Sequence, residues 1–175
     1  MKMNEASLSR VWKHVSDENT TVCILTAFRD ETSEKDNISN NKHIATVLKS
    51  KKFGYFYLDG YWVENEGTEN EVKVSEDSIF AICTEQSKSK EFIALCHKLG
   101  NRYDQDAIFV NEGNEVYLLN NDGSKLKLES SFKAGKMGKM YSKLKTGKHR
   151  NDTFIFEAER LGLGNIGSFK EYIGV

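Results

Sequence analysis

At 175 residues and 38% hydrophobic, the chain is long enough for one well-formed core and short for two. Its formal net charge is −1, and no apolar stretch approaches the roughly 20 residues that a membrane-spanning helix needs. No signal peptide is expected, since Asn4, Glu5 and Arg10 interrupt any apolar run, and Cys23, Cys83 and Cys96 each sit in an apolar run without CxxC spacing, which argues against a disulfide framework and predicts buried, reduced thiols in a cytosolic protein.

Leu8, Val11, Trp12 and Val15 at i, i+3, i+4 and i+7 predict an amphipathic first helix. The run Val22–Phe28 suits a central strand buried on both faces. Residues 29–38 are polar and read as a loop. A helix is expected from about Ser39 to Lys52, capped by Ser39 or Asn40. Two aromatic strands, 55–58 and 61–63, flank Asp59-Gly60, which predicts a tight hairpin turn. An acidic loop (64–77), a strand (78–84), a helix (87–99) and strands at 107–110, 115–119 and 125–128 follow. Met137, Met140, Tyr141 and Leu144 fit one helical face, and 153–157 alternates like a short strand. The fold class expected is α+β: a mainly antiparallel sheet with two or three packed helices and a β-α-β-β-α-β, ferredoxin-like core. The domain reading is a core over 1–123, with a basic flap and Gly-rich tail, 124–175, packed on the same domain.

Charge is segregated along the sequence. Residues 1–123 hold 14 Lys/Arg against 21 Asp/Glu, whereas 124–150 hold nine against Glu129 alone. Lys133, Lys136, Lys139, Lys143, Lys145, Lys148 and Arg150 interleave with Phe132 and Tyr141, a combination that suits phosphate contact with base stacking. The bland alternative is a solvated flap that compensates the acidic run of Glu64, Glu66, Glu69 and Glu71.

A second set, Arg29, Asn40, Asn41, Glu76, Arg102 and Gln105, falls at strand ends and helix mouths, where ligand pockets collect. Arg29 and Arg102 are suited to a phosphate or carboxylate, and Glu76 to a general base. Caps and surface ion pairs explain these residues equally well. Gly162–Gly167 spells G-x-G-x-x-G, but only eight residues follow it, too few for a dinucleotide-binding unit. The histidines show no metal-ligand spacing, and no nucleophile elbow occurs. No cofactor or metal is expected.

Thr26-Ala27-Phe28, Asn37 with Asn40 and Asn41, Gly54-Tyr55, Trp62, Glu76 with Ser78, and Tyr103-x-Gln105-x-Ala107-Ile108 together resemble an uncharacterised family of small bacterial and phage proteins. The resemblance covers about residues 20–120. It implies fold boundaries and no activity.

The favoured expectation is therefore a small non-enzymatic phage or mobile-element accessory protein, cytoplasmic in its host. It would engage nucleic acid or a host protein through the Lys-rich segment. One alternative is a nucleotide-binding sponge or small nucleotide hydrolase, holding a phosphorylated ligand at the strand ends. The other is a virion or assembly component that forms a homo-oligomer.

Overall fold

The computed structural model describes residues 8–64, 69–70, 72–113, 115–134, 141–145 and 153–159. Among them, helices α1 (Leu8–Ser16), α2 (Glu34–Ser50) and α3 (Ser89–Arg102) accompany strands β1 (Thr21–Leu25), β2 (Gly54–Glu64), β3 (Val72–Cys83), β4 (Ala107–Glu112), β5 (Glu115–Asn120), β6 (Lys125–Lys127), β7 (Glu129–Ala134), β8 (Tyr141–Leu144) and β9 (Thr153–Glu159). The strands form one sheet in the order β6-β5-β4-β1-β3-β2-β8-β9-β7, with antiparallel pairing throughout. Its centre, β4-β1-β3-β2 with α2 and α3 as crossovers, is the ferredoxin-like arrangement. The protein is α+β.

The period of two along each strand sorts the core into two layers. Cys23 and Leu25 of β1, Ile79, Ala81 and Cys83 of β3, and Ile108 and Val110 of β4 face α2 and α3. They meet Ile44, Leu48, Phe92, Cys96 and Leu99 there, each worth about 1.5–3 kcal/mol when an aliphatic or aromatic side chain is fully buried. The intervening residues, Val22, Phe80, Ile82 and Leu58, form the second layer against Val11 of α1, and the Phe56 ring stacks on Phe80 at 4.6 Å. β1 is thus buried on both faces, as its unbroken apolar run predicts. All three cysteines are buried and unpaired.

Several boundaries differ from expectation. α2 begins at Glu34, because the Ser33 side chain accepts from the Asp36 backbone N–H and Glu34 and Asp36 place carboxylates in the positive first turn. Asn40 and Asn41 therefore lie inside the helix and cap nothing. Asp59-Gly60 is no turn: β2 runs straight through it, with Asp59 opposite Asp77 and Gly60 opposite Glu76. A side chain at position 60 would crowd the Glu76 carbonyl, with its Cβ at 3.3 Å, so the glycine serves close strand approach. Residues 72–77 of the expected acidic loop belong to β3, and Glu64 ends β2. Tyr141–Leu144 is a strand beside β2, not the end of a helical face. Met137 and Met140 lie outside the described residues, as does the glycine-rich motif at 162–167.

Gly100 is buried in the last turn of α3, where a Cβ would stand 2.8 Å from Cγ2 of Ile108. Helix propensity alone makes Gly→Ala favourable by about 1 kcal/mol. Gly100→Ala is expected to reverse that sign and lower stability by about 1–3 kcal/mol in denaturant unfolding, because the β-branched Ile108 has no free rotamer.

Candidate functional site

Where β1 ends, its backbone leaves the ladder and is taken over by side chains. The Ala27 N–H donates to Asn41 Oδ1 at 2.8 Å, and Asn41 Nδ2 donates to the Asp77 carbonyl at 2.9 Å. Thr26 Oγ1 donates to the same carbonyl at 2.6 Å and accepts from the Phe28 N–H at 3.1 Å. One turn earlier on α2, Asn37 repeats the device. Its Oδ1 accepts from the Arg29 N–H at 3.0 Å and its Nδ2 donates to the carbonyls of Arg29 and Thr32. Both asparagines are buried, so they satisfy a segment that strand pairing cannot reach.

Arg29 is itself held, with Nε donating to the Tyr103 carbonyl at 3.0 Å. The Tyr103 hydroxyl lies 2.6 Å from Nδ1 of His43 on α2. The start of α2, the end of β1 and the end of α3 are therefore one connected polar corner.

Beside this corner, on the sheet face that carries α2, stand Tyr55, Tyr57, Asp59 and Asp77. The tyrosine rings pack edge to face at 5.9 Å. Asp59 and Asp77 occupy directly opposite positions of β2 and β3, an arrangement that repels when both are ionised. Lys145, just past β8, resolves the repulsion: its Nζ is hydrogen-bonded to Asp77 and lies 3.4 Å from Asp59, while its backbone N–H donates to the Tyr57 carbonyl at 3.4 Å. Burial, then a hydrogen bond shared with Asp77, pushes the Asp59 carboxyl above its ordinary range, and Lys145 pulls it partly back. Burial alone would discourage charge on Lys145, but Asp77 and Asp59 outweigh it and hold the ammonium protonated. Burial, with Tyr55 and Asp77 adding to it, also raises the Tyr57 hydroxyl.

The sequence-derived sets are partly gathered and partly scattered. Arg29 and Asn41 meet at the corner, although both have structural partners there. Asn40 is half-buried on α2. Glu76 precedes Asp77 on β3, so strand alternation turns it to the opposite face. Arg102 is the exposed last residue of α3, its guanidinium 6.0 Å from the Tyr103 ring, and Gln105 follows with its N–H bonded to the Gly100 carbonyl. Of the basic set, Lys133 lies on β7, Tyr141 and Lys143 lie on β8, and Lys145 is the counter-ion just described. Lys136, Lys139, Lys148 and Arg150 lie outside the described residues.

Asp59 is hidden in the sequence because Asp-Gly signals a turn, and Asp77 because the acidic run before it has the composition of a loop. Asn37, Asn40 and Asn41 all belong to the motif that carries the family resemblance, but only the first and last make the backbone contacts.

The opposite end of β1 carries an open cleft of about 400 Å³, lined by Glu18, Asn19, Gln86, Glu112, Gly113, Glu115 and Lys127. Its floor is a closed network in which Glu112 accepts from Ser89 Oγ at 3.2 Å and from the Tyr117 hydroxyl at 3.1 Å. No aromatic ring lines it, whereas Tyr55 and Tyr57 stand on the same sheet face as Asp77. Among the described residues, no group of His, Cys, Asp and Glu is arranged to hold a metal, and no helix is long and apolar enough to cross a membrane.

Residues 23–159 match the family model of the S-adenosylmethionine lyase family. The chain belongs to that family. The match runs from β1 through β9, and so includes the corner, both aspartates and Lys145. Two solved structures are also similar. A phage SAM lyase in complex with S-methyl-5'-thioadenosine is 14% identical, covering 58% of this chain and 88% of that one at a TM-score of 0.35. A phage SAM lyase in the apo state is 13% identical, covering 71% and 87% at a TM-score of 0.34. The family assignment rests on the sequence match and not on these overlays. No curated protein matches the chain.

Lyase-family membership corrects two expectations. The residues that resembled an uncharacterised family belong to one named for a reaction. The reading as a non-enzymatic accessory protein that binds nucleic acid through its lysines is overturned, and at Lys145 the structure shows an intramolecular ion pair instead.

Asn41→Ala strips one partner each from the Ala27 N–H and the Asp77 carbonyl. It is expected to cost about 1–3 kcal/mol in denaturant unfolding. Asn41→Asp should cost more, because it sets a carboxylate oxygen against the Asp77 carbonyl; equal losses in the two variants would contradict this account of the corner.

Proposed function

We propose that this protein is an S-adenosylmethionine lyase, breaking a carbon–sulfur bond of that sulfonium without water as a reactant. The observation that carries the reading is the family match over residues 23–159. The corner around Asp77 supports it chemically. S-adenosylmethionine carries no phosphate, so a phosphate cradle of arginines is not required. It carries a sulfonium, an ammonium, a carboxylate and an adenine ring. Asp59, Asp77 and Lys145 together present one net negative charge, which complements the ligand's single net positive charge. The faces of Tyr55 and Tyr57 offer surface to a cation or to a base.

In such a reaction the electron pair of the breaking bond goes to sulfur, the sulfonium becomes a neutral thioether, and the carbon it leaves bonds to the substrate's own carboxylate oxygen, closing an uncharged lactone ring. Carboxylates beside the sulfur therefore favour the substrate over the thioether product and aid release. They do not by themselves lower the barrier, since their attraction fades as the positive charge is lost. Acceleration then comes mainly from orientation: a fixed pocket holds the aminoacyl chain folded towards the bond that breaks. Asn37 and Asn41 supply that rigidity in this reading, by locking the 26–32 segment to α2.

Purified protein incubated with S-adenosylmethionine is expected to consume it and release a neutral adenine-bearing thioether, resolved by liquid chromatography with mass detection. The double variant Asp59→Asn/Asp77→Asn should raise KM for S-adenosylmethionine about tenfold or more while kcat does not fall. Survival of the sulfonium with the wild-type protein, or an unchanged KM in the double variant, would sink the assignment or its location respectively.

A further inference from the structure

Two like charges opposite each other on neighbouring strands are avoided in sheets unless something compensates them. Here the compensation comes from far along the chain: Lys145 is 68 residues from Asp77. The cluster is only partly buried, with side-chain exposures of 19% for Asp59, 21% for Asp77 and 39% for Lys145, so a ligand can reach it. Lys145 is anchored through its own backbone to the Tyr57 carbonyl, which fixes the ammonium over the carboxylates instead of leaving it a loose surface charge. Asp77 is anchored too, its carbonyl gripped by Thr26 and Asn41. Both ends of the ion pair are therefore tied to the corner.

We propose that Lys145 is a positioning residue that acts through Asp59 and Asp77, setting their joint charge so that a sulfonium is bound in preference to a neutral thioether without being held too tightly to react. The inference rests on the lyase reading above. With both carboxylates ionised and no lysine, the cluster carries two net negative charges and over-stabilises the cationic ground state, which lowers KM and kcat together. With the lysine kept and one carboxylate removed, the cluster is neutral and the preference for a cation goes. The groups that face the pair are Tyr55 and Tyr57 on β2 and Lys145 beyond β8, with Lys143 at the ladder position opposite Asp59.

The test compares the wild-type chain with Lys145→Met, Lys145→Arg and Asp77→Asn at about pH 8, where ordinary carboxylates are ionised. Calorimetry measures Kd for S-adenosylmethionine and for its neutral analogue S-adenosylhomocysteine, and initial rates give kcat and KM. Lys145→Met should raise the sulfonium-to-thioether affinity ratio about tenfold and lower KM and kcat in parallel. Lys145→Arg should hold the wild-type ratio, and Asp77→Asn should depress it. A lysine that merely braced the fold would give the opposite sign, with KM rising and both ligands weakened alike, and that result overturns the inference. If the wild type consumes S-adenosylmethionine but Lys145→Met leaves the ratio unmoved, this inference alone fails. If the wild type neither binds nor consumes it, the lyase reading fails and takes this inference with it.

Discussion

The carbonyl oxygen of Asp77 is where the architecture of this protein is decided. A carbonyl of an inner strand that runs on past the end of its neighbour β1 must find donors, and here two side chains from other elements supply them, Thr26 just beyond β1 and Asn41 on α2. These two hydrogen bonds pin the inner strand to the end of its neighbour and to the helix that covers it. It also fixes where Asp77 and, across the ladder, Asp59 project. The hydrophobic layers supply most of the stability, but they tolerate sliding by a methylene more readily than a hydrogen-bonded carbonyl tolerates any displacement.

Much of the fold was legible because apolar periodicity and sheet burial are the same fact seen twice. The unbroken run Val22–Leu25 had to be central, and the stripe Phe92, Cys96 and Leu99 had to face a sheet. The misread regions share a cause as well. Residues 34–37 are polar because Glu34, Lys35 and Asp36 are exposed and Asn37, though buried, spends its side chain on backbone contacts, leaving no apolar stripe to find. Asp59-Gly60 has the chemistry of a turn, but β3 on one side and β8 on the other enclose it, and pairing on both edges outweighs local preference.

The site was harder to read than the fold, for a physical reason. Its parts come from β1, α2, β2, β3 and the segment after β8, and each residue looks ordinary in its own neighbourhood. Asn41 reads as one polar residue among several near a helix mouth, Asp59 as a turn residue and Lys145 as one of eight lysines in a basic run. The charge block drew attention to a net field, whereas the informative quantity was which single lysine found two carboxylates.

That Lys145 completes the aspartate pair has a consequence for how the chain matures. The ferredoxin-like β-α-β-β-α-β unit is finished at Glu112, and it can collapse as soon as that much chain is free. At that stage Asp59 and Asp77 already face one another with no cation between them, so the nascent core carries a local electrostatic fault. The fault is repaired only when β8 docks along β2, a late contact of long sequence separation. In a chain stopped short of residue 145, Asp59 and Asp77 would stand opposite one another with no lysine to join them.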